Sequence, residues 1–198
     1  IFLLFIGAVI LNKVIFGNID FYLPVHLSDS FKTTTIFGFE IYGQRMLTIF
    51  VMLNTLIIIF SMTFVNQLTN KWSERKSLTT GALLQGLGFA AAFLMNSFIP
   101  LILASIVMTI GEMILVPSSQ SLRADLMNEE KIGTYSGFVT ITDPIGSVLS
   151  GSLVSFSVYI HHTGVAVVMV VVTVLLVLCF NQVMKMKTQA EIASSKNT

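Results

Sequence analysis

Across Leu78–Leu122 the chain carries one charged side chain, that of Glu112. The stretch is long enough for two of the roughly 20-residue helices that cross a bilayer, and Asn96, Ser97 and Pro100 supply a break between them. The whole chain is 54% hydrophobic and only 11% charged, whereas soluble domains average about a quarter charged residues. The sequence therefore predicts a polytopic membrane protein.

Six apolar stretches of bilayer length predict an all-α membrane fold with six transmembrane helices. These spans lie near residues 1–27, 42–68, 77–96, 98–122, 133–160 and 164–186. Together they make one membrane unit, residues 1–187, and the polar residues 188–198 are predicted to be a disordered tail. The chain starts inside an apolar stretch with neither Met nor a polar leader, so we expect it to be a piece of a longer chain.

The distribution of Lys and Arg predicts the orientation of these spans. The connections after the first, third and fifth spans hold only two such residues, Lys32 and Arg45. The other connections and the tail hold eight: Lys71, Arg75, Lys76, Arg123, Lys131, Lys185, Lys187 and Lys196. Both ends of the segment are therefore predicted to be cytoplasmic.

Four charged residues are predicted to lie inside the membrane: Lys13, Asp20, Glu112 and Asp143. Each costs roughly 2.5–3.5 kcal/mol to insert, so such residues usually face a bundle interior or a water-filled cavity. Their neighbours at helical spacing are polar or small, namely Ser105, Thr109 and Ser119 in the fourth span, Ser136, Thr140, Ser147 and Ser150 in the fifth, and Gly17 in the first. We expect the first, fourth and fifth spans to line a cavity.

Each of these charges also has a purely structural interpretation. Lys13 either forms a structural ion pair with Asp20, with which it shares a helix face, or faces the cavity without it, and Pro24 closes that span. Asp143 is either a cavity acid or a capping residue at the kink made by Pro144. Glu112 is either satisfied by a hydrogen bond between helices or exposed to a cavity. A carboxylate withdrawn from water takes up protons more readily, which is what a proton-coupled carrier requires.

Several classes of function are not expected. A net charge of +1 implies no nucleic-acid partner. One cysteine, and two adjacent histidines with no carboxylate beside them, provide no metal site. The sequence contains no Ser/His, paired-Asp or HExxH constellation, so an enzyme is not expected. No cofactor is expected either, and protons are the expected coupling ion.

The connection after the second span, "NQLTNKWSERKSL" at Asn66–Leu78, resembles the conserved loop of the major facilitator superfamily, G-x-L-x-D-R-x-G-R-K-x-x-L. Leu68, Lys71, Arg75 and Leu78 fit the pattern, whereas Asn66, Asn70, Ser73 and Glu74 depart from it. The resemblance implies that the six spans are helices 7–12 of a twelve-helix bundle. It also assigns a conformational-switch role to the loop residues Asn70, Lys71, Arg75 and Lys76.

Two longer segments, Asp20–Ile49 and Gly111–Gly137, resemble bacterial drug/proton antiporters of this superfamily. The resemblance implies export of lipophilic, often cationic, small molecules across the bacterial cell membrane in exchange for protons. The other partners it implies are membrane lipids and an N-terminal six-helix half. Among the family's membrane acids, two correspond to Asp20 and Glu112, and a third corresponds to Thr173, which cannot ionise. We therefore hypothesise that Asp143 partly replaces that third acid as a proton carrier.

The sequence thus favours a multidrug/proton antiporter working by alternating access. Two alternatives stay open: a metabolite or nutrient transporter of the same superfamily, and an autonomous six-span membrane scaffold.

Overall fold

The computed structural model describes residues 1–36, 38–127 and 132–195. Its elements in chain order are α1 (Phe2–Gly17), α2 (Tyr22–Ser30), β1 (Thr34–Ile36), β2 (Phe39–Ile41), α3 (Gly43–Thr69), α4 (Glu74–Leu94), α5 (Phe98–Leu126) and α6 (Ile132–Ser195). In this part of the chain five helical stretches are long and apolar enough to cross a membrane: Phe2–Ser30, Gly43–Thr69, Glu74–Leu94, Phe98–Leu126 and Ile132–Ala193. The mostly helical membrane fold predicted from the sequence is confirmed.

The first predicted span is not one straight helix. α1 ends at Gly17 and α2 begins at Tyr22. Pro24 therefore lies inside α2, and the prediction that it closes the span is wrong. The break lies upstream because Pro24 has no N–H for the carbonyl of residue 20, and its ring crowds that carbonyl. The chain compensates locally: the Leu23 N–H donates to the Asn18 carbonyl at 2.9 Å.

The connection between α2 and α3 contains strands, which the sequence analysis did not predict. β1 and β2 pair antiparallel, with Thr34 opposite Ile41 and Ile36 opposite Phe39. Gly38 in the turn has φ +81°, a conformation that costs glycine little because it lacks a Cβ. The hairpin leads directly into Gly43, whose Cα lies so close to the Leu27 carbonyl that a side chain would not fit.

The fifth and sixth predicted spans form α6, which is broken at His161, where φ is 56° and ψ is 177°. We call residues 132–160 the first arm and residues 162–195 the second arm. The first arm runs parallel to α1, because Tyr135 packs on Phe2 while Ser150 donates to the Val14 carbonyl. The second arm runs antiparallel to α4, with Thr173 against Gly86 and Asn181 bonded to Arg75.

α1 and α4 point the same way, since Phe16 packs on Phe89 and Tyr22 packs on Phe93. The two arms therefore run in opposite directions, and the chain reverses at His161. This reversal agrees with the prediction of two spans in the last third of the chain.

The predicted disordered tail is wrong for its first part, because the second arm stays helical through Ser195. Gln189, Ala190, Glu191 and Ala193 favour helix by intrinsic propensity, and the preceding helix removes the cost of nucleation. Residues 196–198 lie outside the described part of the chain, as do Lys131 and Lys196 of the orientation argument.

α4 is the central packing element and meets α5 through glycines. A Cβ on Gly81 would lie 2.7 Å from the Leu115 backbone nitrogen, and one on Gly88 would lie 2.7 Å from that of Met108. Small residues at a helix contact let two backbones approach closely. On its other faces α4 buries Phe89 and Phe93 completely. The polar residues of α1, α5 and the first arm are held in place around this core.

Candidate functional site

Glu112 lies in the middle of α5 and is half-buried against α3. Its Oε2 accepts a hydrogen bond from Asn54 Nδ2 at 2.9 Å, and the same amide donates to Thr109 Oγ1 at 3.0 Å. We call Asn54, Thr109 and Glu112 the Glu112 cluster. No Lys, Arg or His in the described ranges forms an ion pair with this carboxylate.

The polar stripe predicted along the fourth span explains why the cluster forms here. Thr109 Oγ1 donates to the Ser105 carbonyl at 2.7 Å, and Ser105 Oγ donates to the Phe50 carbonyl at 3.4 Å. Ser105, Thr109 and Glu112 recur at helical spacing and thus present one polar face to α3. The helix that provides the hydrogen bond to Glu112 is therefore the second predicted span, which is not one of the three spans predicted to line the cavity.

A cavity of about 230 Å³ lies between α1, α5 and the first arm of α6. These are the first, fourth and fifth predicted spans, as expected. Its lining is part apolar and part polar: Phe5, Val9, Asn12, Lys13, Val116, Ser119, Gln120, Arg123, Val139, Thr142 and Asp143. We call it the α1–α5–α6 cavity.

Lys13 and Asp143 form an ion pair across this cavity, with Nζ 2.6 Å from Oδ1. The predicted pair between Lys13 and Asp20 is wrong, because α1 ends at Gly17 and Asp20 lies exposed in the turn beyond it. Gly146 of the first arm lies against the Lys13 Cβ, and this close approach brings Asp143 within reach.

The three predicted acids thus occupy different surroundings. Glu112 faces α3, Asp143 faces the α1–α5–α6 cavity, and Asp20 is exposed between α1 and α2. Thr173 is buried, and its hydroxyl donates to the Met169 carbonyl on its own helix. The structure does not bring these positions together in one cluster.

The predicted switch loop covers the connection between α3 and α4 and the first turn of α4, which contains Arg75 and Lys76. Asn70 caps the end of α3, and Lys71 lies exposed beside it. Arg75 Nε donates to Asn181 Oδ1 at 2.6 Å, and Lys76 Nζ lies 4.3 Å from the centre of the Trp72 ring. The loop is therefore tied to the second arm.

The residues that depart from the superfamily loop pattern have local roles. Ser73 caps α4 by accepting from the Lys76 N–H at 3.4 Å. Lys187 Nζ lies 3.0 Å from Glu74 Oε2 and 2.6 Å from Asp125 Oδ2. This second-arm lysine therefore joins the ends of α4 and α5.

Comparison with known families decides the class of protein. The sequence model of the Major Facilitator Superfamily matches residues 2–195. The chain belongs to this superfamily. The superfamily places it among multi-pass membrane transporters, as expected, and not among enzymes.

Relatives of this Major Facilitator Superfamily chain are longer than the chain itself. A Na(+), Li(+), K(+)/H(+) antiporter from Planococcus maritimus is 27% identical over 155 residues, which cover 76% of this chain and 37% of the relative. The chain thus spans less than two fifths of that protein.

Two solved structures of POT family transporters are also similar to this superfamily chain. One, in complex with a thioalcohol-conjugated peptide, has a TM-score of 0.72 at 16% identity and covers 95% of this chain and 40% of that one. The other, in complex with 5-aminolevulinic acid, has a TM-score of 0.66 at 18% identity, and the match covers 91% of this chain and 40% of that one. At these identities the likeness shows the superfamily fold alone.

The sequence analysis missed the partners of the predicted residues in this superfamily chain. Asn54 had a visible signal, since it is an amide in the middle of an apolar span and such residues often bond across helices. Asp125 and Asn181 carried no comparable signal, because their partners, Lys187 and Arg75, come from distant parts of the chain.

Proposed function

We propose that this chain is the C-terminal half of a proton-coupled exporter of lipophilic cations. The observation that carries the proposal is Glu112, a half-buried carboxylate with one amide partner and no cationic partner among the described residues. A carboxylate inside a membrane protein needs a proton or a cation to offset its charge. Such a group links the two, because binding one excludes the other.

The resemblance of Asp20–Ile49 and Gly111–Gly137 to the lactococcal multidrug/proton antiporter LmrP supports drugs as the exported cations. In this proposal Glu112 is the principal proton and cation site, and Asp20 and Asp143 are further acids linked to the proton. The remaining walls of the binding site come from an N-terminal half. The α1–α5–α6 cavity of about 230 Å³ is indeed smaller than the roughly 300–1,000 Å³ of complete ligand sites.

The proposed cycle is alternating access, in which two six-helix halves rock about a site near the membrane midplane. A cationic substrate binds the ionised carboxylates from the inside, and protons taken up on the outside release it. We place the transporter in the bacterial cell membrane with both ends of this segment cytoplasmic, following the excess of Lys and Arg on that side.

The test is Glu112→Gln in the whole transporter, with Glu112→Asp as the control. The amide keeps the shape of the side chain but cannot ionise, so we expect binding of uncharged compounds to persist. Efflux of ethidium should fall by about tenfold or more, as for loss of a charge contact worth about 1.4 kcal/mol, and Glu112→Asp should retain most of it. The measurement is ethidium efflux from vesicles under an imposed pH gradient. Unchanged efflux with a normal dependence on that gradient would reject the role of Glu112.

Exchange of small inorganic cations for protons is a second candidate, favoured by the similarity to the Na(+), Li(+), K(+)/H(+) antiporter of Planococcus maritimus. Measurements on the same vesicles distinguish the export of lipophilic cations from the exchange of inorganic cations. If Na⁺ or K⁺ collapses the pH gradient while ethidium does not, inorganic cations are the substrates; the reverse result supports lipophilic cations.

A further inference from the structure

The Lys13–Asp143 pair lies deep in the α1–α5–α6 cavity. Asp143 lies eleven residues beyond Ile132, where the first arm begins, and seventeen before residue 160, where it ends. These separations are about 16 Å and about 26 Å by helical rise, and the hydrocarbon core of a bilayer is about 30 Å thick. Both side chains remain open to the cavity, with 43% of Lys13 and 62% of Asp143 exposed. A molecule in the cavity therefore reaches the pair directly.

Asp143 has no other fixed partner. Lys13 is its one ion-pair partner in the described part of the chain, and no described side chain donates a hydrogen bond to it. An ion pair between side chains as exposed as these contributes only about 0–1 kcal/mol, so a competing cation can replace the lysine at little cost. Here the lysine, on a flexible four-carbon stem, is the one group that holds the carboxylate.

A second group in the same cavity points to the charge of the ligand. Asn12 lines the cavity beside Lys13, and its buried Oδ1 receives no hydrogen bond from the described residues. A buried acceptor without a donor costs free energy. A cation carrying N–H groups would satisfy both Asp143 and Asn12, whereas an anion would satisfy neither.

Arg123 does not offset this preference at the depth of the pair. It lies seven residues beyond Val116 on α5, about 10 Å along the helix, in the last turn of that helix. α5 runs antiparallel to α4, and α4 points the same way as α1. Arg123 therefore lies at the same end of the cavity lining as Phe5, whereas Lys13 and its partner Asp143 lie at the other end.

We propose that Lys13 is a tethered cation that occupies Asp143 and competes with the substrate for it. The ligand class is a cation with N–H donors, such as an aromatic or alkyl ammonium. The idea rests on the proposed export of cations, and adds that a substrate must displace the lysine before it binds Asp143. The strength of the Lys13–Asp143 pair then adjusts the affinity for the substrate, beside the contribution of Glu112.

Variants of Lys13 that change the strength of this pair test the proposal, in the purified whole transporter with ethidium as the probe. Lys13→Met removes the competitor, so the dissociation constant of ethidium should fall by about three- to tenfold. Lys13→Arg should raise it by about threefold, because a guanidinium grips a carboxylate through two parallel hydrogen bonds. Asp143→Asn should raise it most. The uncharged dye Nile red should bind all four proteins alike, and fluorescence anisotropy measures both probes.

If the Lys13–Asp143 pair is purely structural, the variants should show a different order of ethidium affinities. Lys13→Met would then lower the unfolding temperature and leave ethidium binding unchanged or weaker, and Lys13→Arg would match the parent. That result would overturn the proposal. If Lys13→Met does not fold, Lys13→Arg decides alone, because it keeps the pair. Loss of ethidium binding by the parent protein would instead sink the proposed function.

Discussion

At the scale of single residues, the Glu112 cluster combines a stabilising role with the proposed role in transport. Asn54 is 7% exposed and donates to both Glu112 and Thr109. A hydrogen bond to a charged group contributes about 1.5–3 kcal/mol, and a buried partner left unsatisfied is destabilising. The same amide that stabilises the ionised carboxylate thereby fixes the distance between α3 and α5.

Replacing Asn54 by Leu should therefore destabilise the transporter by about 1–3 kcal/mol, because Glu112 and Thr109 lose their donor together. The double variant Asn54→Leu/Glu112→Met should recover much of this loss, since both polar partners are then replaced by apolar ones. Thr55→Ala is the matched control, because exposed Thr55 bonds to the Val51 carbonyl of its own helix and to no other described residue. Thermal unfolding in detergent is the measurement. Equal unfolding temperatures for Asn54→Leu and Thr55→Ala would contradict the role of the cluster.

At the scale of elements, the contact between α4 and α5 depends on glycines that admit no side chain. Gly88→Ala should cost about 1–3 kcal/mol, because the new methyl group would meet backbone at Met108, which moves only if the helices separate. Gly7→Ala in α1 is the control: a Cβ there meets nothing within 4 Å. That change should stabilise by up to about 1 kcal/mol through helix propensity. Similar unfolding temperatures for both variants would show that α4 and α5 tolerate separation.

The elements also show what the sequence can and cannot predict. Long apolar runs fixed the positions of α3, α4 and α5 to within a few residues, because burial in lipid selects length and composition. The break between α1 and α2 was misplaced because a proline acts on the carbonyl four residues before it. The partner of Lys13 was wrong because the contact with Asp143 depends on the parallel run of α1 and the first arm, a long-range feature that helical periodicity does not contain.

At the scale of the whole molecule, polar ties join three helices at one end of the bundle. Lys187 binds Glu74 and Asp125, and Arg75 binds Asn181. These ties connect α4, α5 and the second arm, so they hold the three helix ends together. The proposed alternating access by rocking halves requires rigidity within each half.

Arg75→Gln combined with Lys76→Gln should therefore slow transport by about threefold or more, as conformational steps often limit turnover. Ethidium affinity should stay within about twofold, because both residues lie at a helix end, outside the α1–α5–α6 cavity. Lys185→Gln is the control, since exposed Lys185 forms no hydrogen bond or ion pair with the described residues. Initial rates of ethidium efflux and equilibrium binding separate the two effects. A large loss of affinity at normal turnover would contradict this assignment.

The reversal at His161 has a consequence for how the protein is made. A single residue with positive φ joins the two arms of α6, whereas the turn between α2 and α3 contains a hairpin of several polar residues. The arms have no linker outside the helices, and a lone first arm in the membrane would leave the Ser150 hydroxyl without its acceptor, the Val14 carbonyl of α1. We therefore expect the membrane-insertion machinery to receive the two arms as one helical hairpin and not as two independent segments.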